Sequence, residues 1–184
     1  MISQDQYLAE VFPQPPLTSF RKQRNIRDIL ITAKLPVPAK LYPTRQGNGM
    51  AKCGQACTAC PYIIECKEIK INKSKKWQLR RKNCDSHNII YIVECNIDYC
   101  KSRYIGMSSR SLRYRLAEHR GYVVNRITSK ATGAHFNLPG HGLENMKIAI
   151  LEIPRHNELE YRKQREKYFI NKFNTLHNGM NRQI

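Results

Sequence analysis

Arg115 and His119 stand one helical turn apart, on a face that also carries Leu112. A guanidinium beside an imidazole at the margin of an apolar face suits an oxyanion or a phosphate; on a solvated basic face the same pair has no such task. Glu166 poses the converse question. In the helical pattern over 157–173, Leu159, Arg162, Glu166, Phe169, Ile170 and Phe173 share one broad face, so the carboxylate adjoins the apolar stripe and needs a cation. That cation is either an arginine, Arg162 or one from the earlier helix, or a divalent metal ion. Tyr91 and Tyr104 sit one on each of two short β-like runs and are either half-buried packing residues or part of a site.

The stretch joining those runs, NIIYIVECNIDYCKSRYIG (88–106), also places two thiols in its turn. Cys95 and Cys100 are separated by four residues, His135 and His141 by five, and both gaps suit two-ligand arms of a tetrahedral zinc site. The insert between the pairs far exceeds the ~12 residues of a DNA-reading finger. The expectation is a structural zinc that staples the hairpin to the loop after the first helix, the alternative being histidines that merely pack or lie exposed. Upstream, CGQACTACPYIIEC offers Cys53, Cys57 and Cys60, with Cys66 or Cys84 as a fourth ligand; local spacing favours Cys66. Seven cysteines, an odd number, in a chain without an export signature favour metal ligation over a disulfide framework.

These groups need a scaffold, and the pattern supplies one. IIYIV, RYIG and MKIAILEI (146–153) read as strands, SSRSLRYRLAEHR as a short helix, and 157–173, opened by Asn157 with acids in its first turn, as the strongest helix. The order strand, strand, helix, strand, helix predicts a small α+β domain over 88–184. Residues 1–50 hold six of the nine prolines and one short helix, RNIRDILITAKL, and read as a linker with a docking element. Residues 51–87 form a basic, cysteine-rich module. In its segment KEIKINKSKKWQLRRK, eight cations and one acid surround the only tryptophan.

The chain of 184 residues has 32 Lys+Arg against 14 Asp+Glu, a formal charge of +18. Self-repulsion of that size calls for a polyanionic partner, nucleic acid before an anionic membrane. No run approaches the ~20 apolar residues of a membrane span, and the start, MISQDQYLAEVF, is acidic. A soluble, unexported protein is expected.

Taken together, the strand ending in Tyr91, the YIG of Tyr104-Ile105-Gly106, LRYRLAEH, REKYFI and a near-terminal asparagine resemble the core of the GIY-YIG endonucleases. NIIY, CNIDYC, YIGMSSRSL, REKYFI and NTLHNGMN in that order resemble most closely the endonuclease domain of Penelope-like retroelements, and PPLTSFRKQRNIRDILITAKL more loosely resembles the segment joining reverse transcriptase to endonuclease there. Ile89 stands where many members of the wider family have a glycine, and Met107 where many carry a polar or charged residue.

The resemblance implies a three-stranded antiparallel sheet flanked by helices, preceded by a zinc-binding linker module. It implies that Tyr91 and Tyr104 line the site, that Arg115 and His119 follow on the first helix, and that Glu166 binds Mg²⁺ or Mn²⁺. Gly106 would permit close backbone approach and Asn181 would brace the site from the C-terminal side. Tyr91 is the candidate general base, with Tyr104 or His119 as an alternative relay. The resemblance also favours Cys84 as fourth ligand of the upstream zinc, giving one or two structural Zn²⁺ ions. That choice closes the basic segment into a loop that would present Lys73, Lys75, Lys76, Trp77, Arg80, Arg81 and Lys82 to a nucleic-acid backbone, with Arg110 and Arg113 contributing from the first helix; Trp77 is alternatively a core residue of the module.

The function so implied is a metal-dependent DNA endonuclease of a Penelope-like element, acting in the nucleus with the element's RNA and reverse transcriptase. It would leave a 3′-hydroxyl that primes reverse transcription. The competing readings are a catalytically inactive zinc-dependent nucleic-acid-binding protein derived from such an element, which does not explain why the tyrosines, Arg115 and Glu166 are all intact, and a zinc adaptor for protein partners, which leaves the charge unexplained.

Overall fold

The computed structural model describes residues 49–53 and 57–182. The expected linker, with its helix over 24–35, lies outside them. At the centre is β3 (Ile89–Cys95), paired antiparallel with β4 (Arg103–Ser108) on one side and β5 (Met146–Glu152) on the other. β3 is almost wholly buried because both its edges are paired and both its faces covered, and its run of isoleucine, valine and tyrosine matches that environment. Register decides what shares a face. Tyr91 stands opposite Gly106 and Val93 opposite Tyr104, so both tyrosines project to the same side of the sheet.

Helix α1 (Leu112–Val124) buries Leu112, Leu116, His119 and Val123 along one stripe. Its leading N–H groups, which a helix cannot satisfy itself, are taken up from outside: Leu112 N donates to Ser86 O and Arg113 N to Cys84 O. A five-residue helix, α2 (Ala131–His135), follows, and α3 (Leu159–Phe173) closes the chain, buried at Arg162, Phe169, Ile170 and Phe173 and ended by Asn174 in the left-handed conformation. Two expectations for α3 fail. Leu159 is 51% exposed, because it is the first helical residue and lies beyond the sheet, and the residue flanking the helix is Glu158, not Asn157. Asn157 instead accepts from Arg162, which also donates to Asn88 Oδ1 at 2.7 Å. Arg162 is therefore occupied and is not the partner of Glu166.

The cysteine-rich segment shares the hydrophobic core of the sheet, through Ala59, Ile63, Ile69, Leu79 and Cys84. Ile63 bridges in parallel to Ile148, extending the β5 edge by a single residue, with Ile64 N donating to Ile148 O. The basic segment folds as a hairpin, β1 (Glu68–Lys70) with β2 (Lys76–Gln78). Trp77 packs edge-on against Phe169, with ring centroids 5.0 Å apart, and donates its indole N–H to Leu151 O. Lys82 is 6% exposed and donates to the same carbonyl. Both residues tie the hairpin to the domain; Lys82 is buried and so not presented to a nucleic-acid backbone, which corrects that expectation, whereas Trp77 is half-buried. Among the described residues no helix is long and apolar enough to cross a membrane.

Candidate active site

Gly106 makes room for the site. A Cβ built on it would overlap the Tyr91 hydroxyl and lie 2.6 Å from Tyr91 Cζ and 2.8 Å from Tyr104 Cε1. The group that fills the space over this glycine is the opposing phenol. From there a hydrogen-bonded chain runs into the protein. Arg115 Nε donates to Tyr91 Oη at 2.6 Å, Tyr91 Oη lies 2.9 Å from His119 Nε2, and His119 Nδ1 lies 2.8 Å from Thr132 Oγ1. Glu118, held by Arg110, is 2.5 Å from Arg115 Nη1 and aims the guanidinium.

Burial sets the protonation states. Burial pushes the Tyr91 phenol well above its usual range, and adjacent Tyr104 adds to the effect against the opposing charge of Arg115. Burial, assisted by Arg115, lowers His119 to about 3, so at neutral pH the imidazole carries no charge. Tyr104 is raised by burial and partly offset by Arg115. Glu166 is raised by burial, against a hydrogen bond from the Met107 backbone and the charge of Arg115.

Tyr104 and Glu166 meet in a cleft of about 650 Å³ whose walls include Met107, Ile170 and Asn181 and whose rim carries Lys130, Lys163, Lys167 and Arg182. Among the described residues Glu166 is the only acid lining it, and no ion pair engages its carboxylate. A half-buried carboxylate so placed fits Mg²⁺ or Mn²⁺, ions commonly held by one or two carboxylates with water and phosphate oxygens filling the remaining positions. Tyr91 is fully enclosed whereas Tyr104 lines the cleft, so the phenol closest to solvent is the second tyrosine, not the first. Asn181 braces the cleft from the C-terminal side: its amide accepts from Ile105 N at 2.8 Å and donates to Ile105 O at 2.9 Å, pairing with the free edge of β4 as a strand would.

The thiols and histidines gather into two clusters, Cys53–Cys57–Cys60–Cys84 and Cys95–Cys100–His135–His141, with the ligand atoms of each within 4.8 Å of one another. Cys66 stands outside both. In the first cluster, Cys60 Sγ lies 3.5 Å from Cys53 Sγ and 3.7 Å from Cys84 Sγ, close to the ~3.8 Å sulfur spacing that tetrahedral bonds of ~2.3 Å would give. In the second, Cys100 Sγ is 3.5 Å from His135 Nε2, while His141 anchors Nδ1 on Pro139 O and leaves a buried Nε2 without a partner. An orphaned imidazole nitrogen oriented from behind is how a zinc ligand is held. The donor sets fit Zn²⁺ at both places.

Lys73, Lys75, Arg80 and Arg81 lie exposed on the hairpin and its exit. Lys76 pairs with Glu68, Arg113 with Asp85 and Arg110 with Glu118. Glu118 and Thr132 are the residues that sequence reasoning missed. Glu118 was legible as an acid three residues from Arg115; Thr132 had no periodic signal at all.

Residues 87–181 match the GIY-YIG catalytic domain. No curated protein and no solved structure matches the chain.

Proposed function

The chain belongs to the GIY-YIG family, a nuclease family whose members use divalent metals, and from that premise we propose that it is a DNA endonuclease of a Penelope-like retroelement. The observation that carries the catalytic part is the continuous chain Arg115–Tyr91–His119 placed behind the cleft that Tyr104 and Glu166 share. The element affiliation is supported by the order of the sequence motifs and by a CCHH cluster set into the β3–β4 hairpin.

In this reading the cationic rim seats the DNA backbone and Arg115 neutralises charge developing on a non-bridging phosphate oxygen. Glu166 would hold a divalent ion, which when bound would polarise the phosphoryl group and ease deprotonation of water. Tyr104 orients the attacking water at the cleft wall, while Tyr91, hydrogen-bonded to neutral His119, holds Arg115 behind it, and the proton the water loses goes to solvent. The new bond joins the water oxygen to phosphorus, the bond to the 3′ oxygen breaks, and the departing alkoxide takes a proton from solvent. The products are a 5′-phosphate and a 3′-hydroxyl, the end from which the element's reverse transcriptase would extend on its RNA. Zn²⁺ at the two clusters is structural, and the site of action is the nucleus.

End chemistry tests the priming role. Nicked product should be extended directly by a DNA polymerase; extension only after phosphatase treatment would mean a 3′-phosphate and would defeat this reading.

A further inference from the structure

We propose that Thr132 is a positioning residue that fixes the tautomer of His119 and couples it, through α2, to the Cys95–Cys100–His135–His141 site. Its catalytic consequence rests on the nuclease reading above; the tautomer does not.

The hydrogen-bond inventory drives the assignment. Arg115 Nε can only donate, so it fills an acceptor position on the Tyr91 oxygen and leaves the phenolic proton to be placed. The geometry offers it His119 Nε2 at 2.9 Å. Nε2 must then be bare, and the imidazole, which is neutral where it is buried, carries its proton on Nδ1 and donates it to Thr132 Oγ1 at 2.8 Å. With Thr132 absent, Nδ1 has no partner in the core, and the proton is free to move to Nε2, where it would block the position that receives the proton of Tyr91.

Thr132 is held where this requires. It is 1% exposed, on a helix of five residues that has no stability of its own. Three features pin that helix. Gly133 is pressed so closely against Ile127, just after α1, and against the end of α1 that a Cβ would overlap Ile127 O and lie 3.0 Å from Tyr122 O. Asn137 Nδ2 bridges Val123 O of α1 and Gly133 O of α2. His135, one turn beyond Thr132, enters the CCHH cluster. The residue that orients the imidazole and a residue suited to zinc therefore ride on the same single turn of helix.

Nitrogen NMR of the His119 ring in zinc-loaded protein is the test, with Thr132→Ser and Thr132→Val beside wild type and nicking measured in parallel. The expected result is an Nδ1–H imidazole in wild type and Thr132→Ser, and loss of that single tautomer in Thr132→Val, with nicking down on the order of 10- to 100-fold in Thr132→Val and largely restored by serine. In the coupling arm, zinc extraction is expected to broaden or change the His119 tautomer signal and zinc re-addition to restore it. An Nε2–H imidazole in wild type, or an unchanged tautomer in folded Thr132→Val, overturns the positioning role; a His119 signal indifferent to zinc overturns the coupling. If Thr132→Val does not fold, wild type and Thr132→Ser still decide the tautomer. A protein that never nicks but shows the Nδ1–H form defeats the nuclease reading and leaves the positioning intact.

Discussion

Tyr91 folds over Gly106, its direct partner in the β3–β4 ladder, so closely that the hydroxyl occupies the space a side chain would need. Gly106→Ala should therefore push the phenol away from Arg115 and His119. The expected cost is about 1–3 kcal/mol from overpacking, with nicking lost in protein that still folds. Urea unfolding and plasmid nicking on one preparation check this; full activity would show that the register of the phenol does not matter.

Asn181 pairs both groups of Ile105 on the edge of β4 that faces away from β3. Asn181→Ala leaves a buried donor and acceptor unmatched, and about 1–3 kcal/mol of stability should go with it. Met180 N still donates to Arg103 O, so the tail should stay docked and the loss should be local. Hydrogen exchange at the Ile105 amide reads it directly.

His119 gives the fold an acid limit. Its pKa falls from 6.5 unfolded to about 3 folded, so between those values the unfolded chain binds the extra proton. Its contribution is fully present above pH 6.5 and is lost as pH falls toward 3, by about 1.4 kcal/mol per pH unit at the steepest. His119→Gln should flatten the difference in stability between pH 7 and pH 5, measured by denaturant titration at each pH. An unchanged slope would show that another group sets it.

The two clusters predict two zinc ions per chain. Cys84→Ser should lose one of them and Cys66→Ser neither, by metal analysis of purified protein. Loss of a zinc in Cys66→Ser would move the fourth ligand. Because Cys84 O accepts from Arg113 N at the start of α1, the Cys84 variant should also lower nicking.

The sheet and the two long helices were legible from their apolar pattern: Ile89 to Val93 form an unbroken β-branched and aromatic run, as a doubly covered strand requires, and Leu112, Leu116 and His119 recur on one helical face. The β1–β2 hairpin was not, since its three-residue strands are built of lysine, glutamate and glutamine around a single apolar residue each, Ile69 and Trp77, too few to show a period, and burial of Ile69 and packing of Trp77 on Phe169 hold them. Helix α2 is too short to show a period and depends on Asn137 and Gly133 for its place. The site residues were read from type and order, but their depth was not. Sequence cannot tell that Tyr91 is sealed while Tyr104 meets the cleft, because that depends on how the helices and strands pack around the two phenols.

Supercoiled plasmid incubated with the zinc-loaded protein, with and without Mg²⁺ and beside Glu166→Ala and Tyr91→Phe, decides whether the cleft cuts DNA. The account predicts Mg²⁺-dependent nicking by wild type, abolished in Glu166→Ala and reduced by at least on the order of 100-fold in Tyr91→Phe, with both variants still binding DNA. Wild-type protein that binds the plasmid and leaves it uncut across Mg²⁺, Mn²⁺ and salt would contradict it and favour a nucleic-acid-binding protein without catalysis.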